Sequence, residues 1–573
     1  MSTRSRERAS LHRSPSESAN GLAPALDSVQ RPESGSGTLL ERIPAWLAAT
    51  IIAGLVAFAY GYDLGRNPFG FFCDEALIGL RAQELLRGER PDGAFPFFFN
   101  HFGYTSGTLP LYATAPFVWL FGLNEVAVRA ASVFYMVATF AVLYGIFRHL
   151  KLTAPWLPVL IFALSPIVIH LSRVNFGHTP SLFLIASGYG FYLLGKARRR
   201  VLLSMLGGAA IGLSAYGYPG FYLATALFVA ALALSELATV RFRWRAIGHL
   251  AALVIVAAIC FVPIAHQAWT NPDFSNRFDD KDTAGYGLLS LDRAESMIQN
   301  VQKYYGYDFL FAVGETGLPG SFILRHSVSG AGLLSRTTIP FLLLGIVAFL
   351  LLRGGPRKRA FAPFFALILL YPVPDLVTTT TVSAPYAFSV FTGALLVPFV
   401  IAYGLEVLAA HRASREGAAQ SDPLNAIWTR LISVPFIAFA VVIAGFFFVA
   451  ATYPAYPLTS SGYWGWQSGP RDMIGYYLDH DEDYDAFLIE GAFNQGDVFL
   501  DFYIDDPDNP ALREKAHIGG VEAIDPRQRQ LFGLRLETWN DPVNAELLAP
   551  FTILETVTYP DGTDAFHLVA RAR

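Results

Sequence analysis

Cysteine is almost missing from this chain. Its two, Cys73 and Cys260, stand far apart, which excludes a disulfide framework, and no Cys/His cluster has the spacing of a zinc site. Charge is scarce too: 15% of residues are charged, against about 25% in a soluble globular protein. Hydrophobic residues make up 53% of the chain and the mean hydropathy is +0.39. A water-soluble fold is excluded, because the polar remainder could not cover such a core. The net charge of −4 says little as a sum, and no nucleic-acid partner is expected. No cofactor motif and no metal ligand set stand out.

The apolar residues fall in discrete runs of a length that crosses a bilayer as helix. Residues 1–43 are rich in Ser, Arg, Pro and Gly, lack an apolar face, and read as a disordered cytoplasmic tail. The first run, about 44–62, is followed by no cleavage-type segment and reads as a retained helix. Further spans are expected at about 126–148, 154–171, 180–195, 202–217, 220–238, 247–266, 337–352, 360–377, 386–409 and 431–452, about eleven in all. Basic clusters at Arg4/Arg6/Arg8, Arg148/Lys151, Arg198–Arg200, Arg241/Arg243/Arg245, Arg353/Arg357/Lys358/Arg359 and Arg412/Arg415/Arg430 all fall on one side in that scheme. The positive-inside rule then puts the N-terminus in the cytoplasm and the C-terminus outside. Residues 109–121 are too short to span comfortably and are assigned to an interfacial helix in the first outside loop, about 63–125. A second outside loop covers about 267–336.

The fold class expected is an all-α polytopic membrane domain over 44–452 with a small outside α/β domain over 453–573. Strands are expected at 487–489, 498–504, 551–557 and 566–569. That tail carries 21 Asp+Glu against 8 Lys+Arg, which argues against docking on anionic lipid heads.

Five places in the outside loops hold chemistry-bearing residues. The pair Asp74-Glu75 precedes a helix-favouring stretch, Ala76–Arg87, that stops at Gly88. Asp74 there is either an N-cap or a carboxylate held at the lipid surface as a general base. Cys73 beside it is either a thiol nucleophile or a small apolar residue at a helix mouth. His101, ahead of Leu109-Pro110-Leu111-Tyr112, is a candidate for a polar substrate. Arg173, in Arg173-Val174-Asn175-Phe176-Gly177-His178, either binds phosphate through its planar fork or snorkels at a helix end. Tyr216-Gly217-Tyr218-Pro219 is the fourth place. The fifth runs from Tyr304-Tyr305-Gly306-Tyr307 through Gly314 to Arg325-His326, a compact donor pair suited to phosphate.

Taken in order, these motifs resemble the C-type (GT-C) membrane glycosyltransferases, in particular the bacterial branch similar to dolichyl-phosphate-mannose protein mannosyltransferases. The resemblance covers roughly residues 44–510. It rests on Asp74-Glu75, Pro110-Leu111, Gly122 with Arg129, Tyr216–Pro219, Phe309-Leu310-Phe311 with Gly314, Arg325-His326, Tyr371-Pro372-Val373-Pro374 and Trp466-x-x-Gly469. Two elements of the pattern are missing: a second carboxylate after the third span, and an Arg near 385–390.

What the resemblance implies is inverting transfer of a sugar from a polyprenyl-phosphate carrier to a hydroxyl acceptor, which is a protein, polysaccharide or lipid. Asp74 and Glu75 are the catalytic pair it implies. Arg325, His326 and Arg173 are the donor-phosphate ligands, and His101, His178, Tyr218 and Tyr307 contact substrate. A transporter or flippase of lipid-linked sugar is the alternative, along with a non-catalytic relative. Against transport, the few charges within spans (Arg129, Glu236, Asp375 and Glu406) lie near helix ends.

Overall fold

The computed structural model describes residues 57–89, 97–238, 244–271, 291–352, 356–378, 385–415 and 434–572, with positions 50, 54 and 274. The expected N-terminal tail, most of the first expected span and the expected basic-cluster residues Arg241, Arg243, Arg353 and Arg430 lie outside the described residues.

The first loop opens with helix α1, Cys73–Arg87, which ends at Gly88 as its sequence predicts. A two-stranded hairpin follows, β1 (Phe98–His101) against β2 (Tyr104–Gly107). The run kept out of the span list is helical: α2, Leu109–Phe121, with Pro110 in its first turn, where a missing N–H costs nothing. Helix α3, Glu125–His149, starts at Asn124, whose side chain accepts the Ala127 N–H at 2.9 Å.

The next apolar run is not one helix. It breaks into α4, Trp156–Ala163, and α5, Pro166–Ser172, because Ser165 is extended ahead of a proline. Every residue from Leu157 to Ser172 is buried, so these two pieces form the interior of the bundle. The segment is apolar except for Ser165, His170 and Ser172, and with no exposed residue it is closed about by the other helices.

Helix α6 (His178–Arg198), α7 (Val201–Leu213), α8 (Gly220–Leu237) and α9 (Trp244–Thr270) follow in sequence. α7 lies between α6 and α9. Gly188 and Gly207 face each other there: a Cβ on Gly188 would stand 2.6 Å from the Gly207 carbonyl oxygen. Small residues let the backbones meet where apolar burial alone cannot drive helices together.

Helix α10 (Leu291–Tyr304) precedes a loop that crosses to α11 (Ile339–Leu351). Then come α12 (Pro356–Leu370), α13 (Val373–Thr378), α14 (Ala387–Thr392), α15 (Leu396–Arg415) and α16 (Val434–Phe447). Among the described residues four helical stretches are long and apolar enough to cross a bilayer: Glu125–His149, Gly220–Leu237, Ile247–Thr270 and Lys358–Leu376. Shorter apolar helices occupy Val201–Tyr216, Arg336–Leu351, Leu396–His411 and Ala440–Ala455.

Past residue 469 the chain forms an α/β unit. Helix α17 (Pro470–Asp479) leads into a five-stranded sheet in the order β4-β3-β5-β7-β6. Its strands are β3 (Ala486–Ile489), β4 (Ala516–Ile518), β5 (Gln530–Arg535), β6 (Phe551–Thr558) and β7 (Asp564–Arg571). β3 is parallel to both β4 and β5, and β7 is antiparallel to β5 and β6. The strand expected at 498–504 is instead a helix, α18 (Gly496–Tyr503). Its Val498, Phe499, Leu500 and Phe502 are buried on a face that packs on α1, a demand that only helical spacing meets.

That packing seats the sheet unit against the first loop. Arg87 holds Asp505 through both guanidinium nitrogens, at 2.5 and 2.7 Å. Phe71 meets Phe502 at 4.9 Å between ring centroids. Glu125 takes Arg471 at 3.1 Å and the Tyr503 hydroxyl.

Candidate active site

Asp74 is not an N-cap. α1 begins one residue earlier, at Cys73, with Phe72 in the cap position and no side-chain cap bond. Asp74 therefore lies in the first turn, where the helix dipole favours its charge. Its carboxylate keeps 26% of its surface open and accepts from His101 Nε2 at 3.2 Å. His101 reaches it from the end of β1, stacked on Phe99 and Tyr104 with centroids 5.6 and 4.9 Å away. The hairpin thus builds one wall of the site.

Glu75 faces the other way and is fully enclosed. Its two oxygens take Arg129 Nε at 3.1 Å and Nη2 at 3.2 Å, and Oε1 also accepts the Asn175 N–H at 3.1 Å. Arg129 spends its remaining hydrogens on the carbonyls of Leu64, Pro68 and Gly70. One member of the acidic pair is open, and the other locks α1 to α3 and to the segment leading into it.

Cys73 is buried. Burial pushes its thiol well above its ordinary range, and the neighbouring Asp74 pushes it the same way, against the pull of Arg325. It stays a neutral thiol rather than a nucleophile.

Arg173 is drawn away from the site. Its Nε donates to Asn67 O at 3.2 Å, Nη1 to Ala59 O at 2.8 Å, and Nη2 to Tyr62 O at 2.6 Å and Asn67 O at 2.9 Å. This guanidinium satisfies carbonyls of the segment leading toward α1. It does not snorkel, and its guanidinium is taken up by these carbonyls.

Arg325 is the arginine beside Asp74. Its guanidinium lies 3.9 Å over the Phe72 ring. Burial lowers its pKa from the ordinary arginine value, while Asp74 and Cys73 draw it back up, and it remains a cation at neutral pH. Three groups fix its backbone. His170 Nε2 donates to Arg325 O at 2.8 Å, the Tyr456 hydroxyl donates to Leu324 O at 2.8 Å, and Trp464 O accepts the Leu324 N–H at 2.9 Å. Trp464 O also takes Arg325 Nη1 at 3.3 Å. Trp466 in turn donates to the Tyr456 hydroxyl at 2.8 Å. Of the Trp466-x-x-Gly469 motif, Trp466 belongs to this brace, while Gly469 leads into α17.

His326 is buried beside Arg325 and gives Nδ1–H to Glu315 Oε1 at 2.8 Å. Its ring packs on Phe388, 4.4 Å between centroids. Phe388 also meets His178 at 5.1 Å and Tyr218 at 5.6 Å, and His178 stacks on Tyr218 at 4.3 Å. Gly177, at φ +76°, lets this corner close, since a Cβ there would stand 2.5 Å from the Pro110 ring. Tyr307 is exposed and packs on Phe311 at 6.0 Å, outside this cluster.

The structure thus joins Asp74 and His101 directly, brings Arg325 up beside Asp74, and gathers His326, His178 and Tyr218 around Phe388. It sets Glu75 and Arg173 into the scaffold. Glu315 and His170 carry contacts that no sequence motif announced, and Asn175, inside the Arg173–His178 motif, turns out to hold Glu75. A half-open carboxylate, a neighbouring guanidinium and an aromatic-lined imidazole can take a proton from a hydroxyl and bind an anion.

No protein-family profile matches the chain, and no curated protein matches it in sequence. Solved structures match it in shape. ArnT from Cupriavidus metallidurans bound to undecaprenyl phosphate is 12% identical, with 92% of this chain and 98% of that one covered, at a TM-score of 0.51. Its apo state gives 0.52 at 12% identity, with 91% and 97% covered. The archaeal oligosaccharyltransferase AglB from Archaeoglobus fulgidus, in complex with an inhibitory peptide and a dolichol-phosphate, gives 0.51 at 12% identity, covering 92% of this chain and 74% of that one. At such identity the likeness speaks for the fold, and the fold of this chain is the GT-C fold of membrane glycosyltransferases.

Proposed function

We propose that this protein is an inverting membrane glycosyltransferase that moves a sugar from a polyprenyl-phosphate carrier to a hydroxyl acceptor at the outer face of the membrane. One observation carries the reading: of the acidic pair, Asp74 alone keeps an open carboxylate, and it does so beside His101 and Arg325 on a GT-C fold. The basic residues that cluster on one side of the expected spans support placing this site outside.

Asp74 takes the proton of the acceptor hydroxyl as its oxygen attacks the anomeric carbon. The bond from that carbon to the phosphate oxygen breaks on the opposite face, and the electron pair leaves with the lipid phosphate. His101 orients the Asp74 carboxylate. Arg325 and His326 stabilise the charge that grows on the phosphate, where fixed donors outperform water. Glu75 positions Asp74 through the Arg129 lock. His178 and Tyr218 offer a stacked face to the sugar.

The test is reconstituted full-length protein with a labelled polyprenyl-phosphate sugar and envelope glycan or protein as acceptor. Label is expected to move to acceptor with release of polyprenyl phosphate, and Asp74→Asn is expected to reduce the rate by about 10²–10⁴-fold. Flipping of the intact donor with no covalent transfer would contradict the reading.

A further inference from the structure

Glu315 is a buried carboxylate in a loop outside the apolar runs, 3% exposed, and both of its oxygens are engaged. Oε1 accepts His326 Nδ1–H at 2.8 Å, and Oε2 accepts the Ala387 N–H at 2.6 Å. Ala387 is the first residue of α14 and Phe388 follows it, so one carboxylate ties the imidazole to the ring it packs against. A second connection joins the same two stretches of loop: Thr316 N donates to Ser327 Oγ at 2.9 Å, and Thr316 Oγ1 to Ser327 O at 2.8 Å. Glu315 cannot drift relative to His326.

A carboxylate without its proton only accepts hydrogen bonds. Nδ1 therefore carries a hydrogen, and Nε2 is the nitrogen left to meet a ligand. Phe388 and Tyr386 pack against the ring, Arg325 lies close enough to feel the Glu315 charge, and His170 lies close enough to feel His326.

Resting on the proposed transferase reading, we propose that Glu315 is the positioning residue for His326, holding Nδ1–H and balancing the ring's charge so that Nε2–H is presented as a cationic donor to the departing lipid phosphate. The step itself is unchanged. The acceptor proton goes to Asp74, the bond from the anomeric carbon to the phosphate oxygen breaks, and His326 keeps its proton while hydrogen-bonding the phosphate.

Charge and shape make opposite demands at this position. Glu315→Gln keeps the shape and can still accept the Ala387 N–H, but it turns an amide NH₂ toward Nδ1 and removes the balancing charge. Glu315→Asp keeps the charge and shortens the reach. In the reconstituted full-length protein, Glu315→Gln is expected to lower kcat by about a hundredfold while KM for the donor moves much less. Glu315→Asp is expected to retain more kcat than Glu315→Gln. In a His326→Asn background, Glu315→Gln is expected to cost little more.

Gln equalling or outperforming Asp, or Gln costing the same with and without His326, would overturn the proposal and leave Glu315 as a backbone clamp for Ala387. Should Glu315→Gln not fold, coupling between Glu315→Asp and His326→Asn decides instead, and simple additivity would overturn it. Wild-type protein that transfers no sugar fails the transferase reading itself. Wild-type activity with unaffected Glu315 variants fails only this inference.

Discussion

On one side of Asp74, residues 59–75 are closed by two arginines that have little left to give. Arg129 and Arg173 are buried, and between them they satisfy the carbonyls of Ala59, Tyr62, Leu64, Asn67, Pro68 and Gly70 and the Glu75 carboxylate. On the other side Arg325 lies over Phe72 with a single carbonyl at 3.3 Å. The same side chain serves as mortar in one region and as a spare cation in the other. What separates them is the number of backbone acceptors within reach: an arginine surrounded by carbonyls is consumed by them, and Arg325, over an aromatic face and beside Asp74, is left for the phosphate role we propose.

That contrast can be broken by mutation, most severely at Arg129. Arg129→Ala leaves Glu75 buried without its partner and three carbonyls unpaired, and is expected to cost about 3–5 kcal/mol of stability. Thermal unfolding in detergent would register this as a large fall in Tm or as loss of folded protein. Arg325→Ala should do the reverse. Its Tm should stay near that of the wild type while transfer falls by roughly 10²–10³-fold, as removal of a transition-state donor does.

Arg173→Ala sharpens the comparison, because the sequence alone offered that residue as a phosphate ligand. It is expected to lose about 2–3 kcal/mol, with transfer per folded molecule close to wild type. A selective loss of donor binding without loss of stability would return Arg173 to the site.

The smallest effect lies in the sheet unit, where a charge pair is exposed instead of enclosed. Hydrogen bonds from Arg529 to Asp485, at 2.7 and 3.3 Å, lower the Asp485 pKa to about 2. A carboxyl depressed below its unfolded value, about 3.9, stabilises the fold above that value and ceases to do so as pH falls through about 2. Asp485→Asn should therefore destabilise the full-length protein slightly at neutral pH in low salt. The difference should fade in high salt and vanish toward pH 2, since exposed pairs are weak and screened. Unfolding midpoints across pH would check it.

Much of the helical body could be read from the apolar runs, since a bilayer-length stretch has few alternatives to helix. The break in the run at 154–171 was legible at Ser165-Pro166, where proline forces the preceding residue out of the helix, yet hydropathy alone passes over it. Residues 498–504 were misread because a short apolar run fits either a strand or a helix, and the surface of α1 made the choice. Asp74 was visible from its neighbours in sequence. The His101 contact was not, because it depends on the turn at Phe102-Gly103 that aims β1 at α1. Glu315 was hidden for a similar reason. It stands 11 residues from His326, and a fold of the loop, with no periodic spacing, brings the two together. The spent state of Arg173 was equally invisible, since backbone carbonyls leave no trace in composition.

The central claim is that the two members of the acidic pair do different jobs, and a paired measurement of rate and stability on Asp74→Asn and Glu75→Gln tests it most directly. Asp74→Asn should unfold near the wild-type temperature and transfer sugar about 10²–10⁴-fold more slowly, while Glu75→Gln should lose stability first by leaving Arg129 uncompensated. Near wild-type transfer by a folded Asp74→Asn protein would contradict the account.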